Sequence, residues 1–200
     1  MCIINSFGAS IFFNDIEKMG QNQLQISGIV RQLLMVIGIP VWALGSVTNT
    51  LVPNILGQDN LSEVRVAIKK ISFMSMAFVA VQCFIMMLFP YYFLSLFNLD
   101  NTMAAETIPV LWVAVGALLL MSFTNIIFNG LVSLGSTDLA LYIEFFVVTI
   151  YCIYFLFLFQ ISGIQLWHIW TAEWLYWSLM LLCSVWMLRR KDVHLFGWWK

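Results

Sequence analysis

Charge is what this sequence has least of. Only 10% of its 200 residues are Asp, Glu, Lys or Arg, while 62% are hydrophobic. An ordinary soluble domain carries about 25% charge and roughly 45–50% apolar residues. A soluble core of this size cannot hide so much apolar surface, because a small domain leaves too much of its surface facing water. The deficit excludes a free globular domain and implies a chain dissolved in a bilayer. The formal net charge of −1 also excludes an electrostatic hold on nucleic acid, which is not expected as a partner.

Other absences narrow the function. The chain has no GxSxG, no HExxH, no Walker loop and no Gly-rich dinucleotide turn, so neither an enzyme nor an ATP-driven pump is expected and no cofactor is implied. Cys2, Cys83, Cys152 and Cys183 stand singly in apolar stretches, without CxxC spacing or a companion His cluster. They read as small core residues rather than disulfide partners or metal ligands. No repeat of 20 to 50 residues is present. The apolar start lacks the basic stretch and small-residue cleavage site of a signal peptide.

What the chain has is long apolar runs separated by short polar connections. They predict an all-α integral membrane protein, a six-helix transmembrane bundle with helices at about 24–56, 67–97, 105–132, 139–160 and 164–188, and a tail at 189–200. The first helix is partial, at about 1–19. Its apolar part would span only some 20 Å at about 1.5 Å per residue, less than a hydrocarbon core of roughly 30 Å, so the chain is expected to begin inside a longer helix. Pro40, Pro90 and Pro109 are the expected bends. Arg65, Lys69 and Lys70 flank one connection, and Arg189, Arg190, Lys191 and Lys200 follow the last helix, whereas the opposite-side connections hold only Lys18. By the positive-inside rule the C-terminus is cytoplasmic.

Two helices carry polar stripes near their cytoplasmic ends. In "SVTNTLVPNILGQD", Ser46, Asn49, Thr50 and Asn54 fall on one face and Thr48 opposes them. Further along, Ser122, Asn125, Asn129 and Ser133 repeat the arrangement, with Thr124 opposed. An unpaired amide in hydrocarbon is costly, so such faces turn toward protein or water. Two readings stand: interhelical hydrogen bonding, or a wet cavity lined by Ser46, Asn49, Thr50, Asn54, Ser122, Asn125 and Asn129.

Three ionisable residues lie within spans, and each marks a candidate site. Arg31 is near the outer end of its helix, within snorkelling reach of the interface. Glu144 lies about 9 Å from the cytoplasmic start of its helix and Glu173 about 22 Å from the cytoplasmic end of the last one, too different in depth to share a proton directly. Trp170 and Trp177 flank Glu173 at i−3 and i+4, a setting for a proton carrier or an organic cation. The Trp167, Trp170, Trp174 and Trp177 stripe at helical spacing more often means packing or lipid contact than a ligand box.

The ordered set "FFNDIEKMG", "TNTLVPNILGQDN", "LFPYYFLSLFNLD", "FNGLVSLGSTDLALYIEF" and "WTAEWLY" resembles the second half of a bacterial multidrug and toxic compound extrusion (MATE) transporter over nearly the whole chain. The resemblance implies the C-terminal lobe of a twelve-helix antiporter in the bacterial inner membrane. It would export small organic, often cationic, compounds by alternating access against H+ or Na+, with a six-helix N-terminal lobe and membrane lipids as partners. Sodium-coupled relatives carry carboxylates in helices seven and ten; here the corresponding segments offer Asn5, Ser6 and, at an outer end, Glu106. Glu173 and Glu144 are then the ion-coupling candidates. A lipid-linked saccharide flippase and an inactive truncated membrane fragment are the alternatives.

Overall fold

The structure, a computed structural model, describes residues 16, 19–58, 60–97, 99, 101–135, 137–160 and 164–195, the side chains of 61, 101, 159 and 189–195 apart. Apart from residues 16 and 19, the expected partial first helix, with Asn5, Ser6 and Lys18, lies outside them, as does the end of the basic tail. Six helices follow in order: α1 (Gln21–Leu56), α2 (Leu61–Leu88), α3 (Pro90–Ser95), α4 (Asn101–Ser133), α5 (Thr137–Phe159) and α6 (Leu166–Leu195).

The protein is an all-α membrane bundle. The helices α1, α2, α4 and α5 are long and apolar enough to cross a membrane. With 36 residues, α1 is about 54 Å long and must tilt or emerge from a hydrocarbon layer of about 30 Å. By the same measure α6 falls short, because its indoles, His168 and Glu173 dilute the hydropathy of a helix that is nonetheless packed along α4 and α5. The outward surface is strongly apolar: Val36, Phe84, Tyr142, Phe145 and Leu182 are each more than 60% exposed. Water would reject such a surface, whereas acyl chains accept it.

Of the three expected bends, only Pro90 ends a helix. It takes the first position of α3, where its missing N–H is no loss, and Phe89 interrupts the run between α2 and α3. The helix continues through Pro40 and Pro53 in α1 and through Pro109 in α4. The segment expected from about 67 starts earlier, at Leu61, so the polar connection before it is shorter than composition suggested. Likewise α6 runs to Leu195, through residues expected to form a tail.

The central element is α4. It packs against α1, α2 and α6 along its length and touches α3 and α5. Close approach at its faces follows from small residues. A Cβ on Gly116 would collide with the indole of Trp174, and one on Gly130 would meet Ile68 Cδ1 at 2.6 Å. The Trp174 Nε1–H in turn donates to the Val113 carbonyl at 2.8 Å, tying α6 to α4. After α4 the chain reverses at Gly135, whose φ of 76° lies in the left-handed region that a Cβ disfavours. Between α5 and α6 the contact is aromatic: Tyr151 meets Tyr176 edge-on at 5.8 Å between centroids.

Candidate functional site

The two polar stripes come together where α1 crosses the lower half of α4. Asn49 Nδ2 donates to Asn129 Oδ1 at 2.9 Å, and Ser133 Oγ donates to Asn49 Oδ1 at 2.8 Å. Asn129 Nδ2 donates to Asn125 Oδ1 at 2.8 Å. The chain permits this approach because position 45 is glycine: a Cβ there would stand 2.9 Å from Asn125 Oδ1 and 3.1 Å from Asn129 Nδ2. The amides thus clamp the two helices, as the hydrogen-bonding reading of the stripes expects.

The same amides also border open space. Ser46, Asn49, Asn125 and Asn129 line a cavity of about 390 Å³ together with Gly45, Tyr176 and Glu144. Liquid water occupies about 30 Å³ per molecule, so this volume holds roughly a dozen waters or a small organic compound. The remaining residues of the expected lining lie elsewhere. Ser122 is fully buried and its hydroxyl donates to the Leu119 carbonyl at 2.7 Å, which satisfies it without water. Thr50 donates to the Ser46 carbonyl at 3.2 Å from an exposed position outside the cavity wall. Asn54 is exposed and also off the wall, because a stripe on a 3.6-residue period drifts sideways over two turns. The opposed Thr48 and Thr124 are fully buried and donate to carbonyls of their own helices.

Glu144 is the one residue of α5 in this lining and is only 3% exposed. No Lys or Arg accompanies it among the described residues of the wall. A carboxyl placed so can hold a proton or receive a cation, the two forms that avoid a bare buried charge.

A second cavity of about 160 Å³ lies toward the start of α6. It is lined by Arg31, Glu173, Trp170, Ala114 and Leu118, among others. Trp42, Met121 and Trp177 border both cavities and form the partition between them. Arg31 and the Trp177 indole are the polar groups that act most on the Glu173 carboxyl. Trp170 is nearly fully buried and its Nε1–H donates to Ser27 Oγ at 3.3 Å, which fixes the ring in the wall. The two glutamates therefore belong to different cavities, stacked along the seam of α1, α4 and α6.

Sequence reasoning missed the partition and the place of Arg31. Trp42 and Met121 sit in apolar runs where nothing separates a cavity wall from a lipid face. For Arg31 the signal existed, an arginine and a glutamate each within an apolar span on two helices, but bringing them to one cavity needs the α1–α6 proximity that α4 imposes. Among the described residues no cluster of three or more His, Cys, Asp or Glu could hold a metal ion.

A family model described as MatE matches residues 1–162. No curated protein and no solved structure matches the chain.

Proposed function

The chain belongs to the MatE family, whose members are membrane transporters, and from that premise we propose that it acts as the C-terminal lobe of an antiporter. It exports small organic, often cationic, compounds against H+ or Na+ from a bacterial inner membrane, with its C-terminus cytoplasmic. Alternating access of this kind needs a second six-helix lobe to rock against. Glu144 and Glu173 are the coupling candidates, one in each cavity.

The observation that carries this reading is the amide-lined cavity of about 390 Å³ with a nearly buried carboxyl in its wall. Packed amides alone would explain a clamp. A clamp bordering a void whose wall also holds a nearly buried acid suits a path for solute and counter-ion. A lipid-linked saccharide flippase needs a basic cavity for pyrophosphate; among the described lining residues Arg31 is the single cation, and it shares its cavity with Glu173. The test is export of ethidium from an efflux-deficient host expressing the chain together with any in-frame upstream coding sequence. Energised cells should retain less dye than controls, and retention unchanged under both proton and sodium gradients would refute the antiporter.

A further inference from the structure

The two cavities differ in charge. Among the described residues, the inner wall, on the amide clamp, has Glu144 as its single charged side chain, whereas the outer wall, toward the start of α6, has both Arg31 and Glu173, with Trp42, Trp170 and Trp177 around them. From this juxtaposition we infer that the outer cavity is a binding site for a small zwitterion carrying a methylated ammonium and a carboxylate. This deepens the transport reading by giving the lobe a substrate class, and it rests on that reading only for its physiological use, not for binding itself.

The chemistry follows from the lining. A quaternary ammonium has no N–H to satisfy, so it gains from ring faces and a carboxylate rather than from discrete acceptors. Three indoles and Glu173 provide that surroundings. The guanidinium of Arg31 has five N–H donors in a fixed fork and can serve a neighbour and still present a pair to a ligand carboxylate. A purely cationic ligand would leave Arg31 opposing it within the same small space, and a purely anionic one would face Glu173. A molecule with both charges satisfies both walls and adds no net charge to a low-dielectric site. Size agrees: about 160 Å³ corresponds to roughly five waters, the scale of a compound of about ten heavy atoms. Among its described residues the inner cavity has no cation and offers no such match.

Three ligands of nearly one shape separate the charges: trimethylglycine has both, choline keeps only the ammonium, and 3,3-dimethylbutyrate keeps only the carboxylate. Binding to the purified full chain in lipid nanodiscs is followed by quenching of tryptophan fluorescence and by isothermal titration. Trimethylglycine should bind about tenfold or more tightly than either analogue, the worth of one charge-assisted contact. Arg31→Gln should bring trimethylglycine down to the level of choline, and Glu173→Gln to the level of 3,3-dimethylbutyrate. Should choline bind as tightly as trimethylglycine to the unaltered protein, or should none of the three bind saturably, the inference is overturned. That comparison needs no variant to fold. It also stands apart from dye export, which can fail while the zwitterion binds, or succeed while it does not.

Discussion

Two glycines of α1 set up a matched perturbation. A methyl group added at Gly28 meets nothing within 4 Å, whereas one at Gly45 would stand 2.9 Å from Asn125 Oδ1 and 3.1 Å from Asn129 Nδ2. Replacing glycine by alanine inside a helix gains about 0.5–1 kcal/mol by itself. Gly28→Ala should realise that gain and raise the unfolding temperature by roughly 1–4 °C, at about 2–4 °C per kcal/mol for a chain of this size. At Gly45 the amides must retreat by about half an ångström, yet Asn129 Nδ2 is held to Asn125 Oδ1 at 2.8 Å and Asn129 Oδ1 to Asn49 Nδ2 at 2.9 Å. Overpacking costs about 1–3 kcal/mol, and each weakened interhelical bond adds about 0.6 kcal/mol. Gly45→Ala should therefore unfold below the unaltered protein and roughly 3 °C or more below Gly28→Ala, whichever detergent or nanodisc is used. Intrinsic fluorescence during a thermal ramp reads the difference. If Gly45→Ala stabilises as much as Gly28→Ala, α1 and α4 do not approach at the amide clamp.

Other outcomes follow from the same geometry. In a double-mutant cycle, Asn49→Ala and Asn129→Ala should couple by about 0.6 kcal/mol, up to about 1.7 kcal/mol, in thermal stability; strict additivity would show that the two amides do not meet. Glu173→Gln should lower ion-coupled export in the complete transporter at unchanged expression, and unaltered flux removes Glu173 from coupling. Glu144→Gln, which keeps shape and removes the charge, should make export less sensitive to the imposed ion gradient; a gradient response identical to the unaltered protein rejects Glu144 as a coupling group. Trp42→Ala, at the partition shared by both cavities, should let a thiol reagent added at the outer face reach a cysteine introduced at Asn49 about tenfold faster, since the thiolate forms and reacts only where water and reagent arrive. Equal rates with and without the indole would mean that the ring seals nothing.

Much of the bundle could be read from the chain because a bilayer removes alternatives: a backbone in hydrocarbon must satisfy its own hydrogen bonds, so apolar runs of sufficient length become helices. The polar stripes were legible for the same reason, since Asn49, Asn125 and Asn129 had to face something other than lipid. Which members reach the wall was not legible. Ser122 shares their face in projection, but a serine can bond to the preceding turn and bury itself, and no periodicity distinguishes that from a serine facing water. The break at Pro90 and the unbroken helix at Pro40, Pro53 and Pro109 likewise differ by what surrounds each proline rather than by local sequence. The partition of Trp42, Met121 and Trp177 joins three helices, and spacing along one helix carries no information about it.

The wet cavity on the seam of α1 and α4 is tested most directly by thiol accessibility. In a chain whose four native cysteines are replaced by alanine, single cysteines are placed at Ser46 and Asn125 in the cavity wall and at Phe78 and Val81 on the exposed apolar face of α2. A membrane-impermeant methanethiosulfonate should modify the first pair about tenfold or more faster than the second in lipid vesicles, because thiolates need water to form. Equal protection at all four positions would mean that no aqueous space lies between these helices.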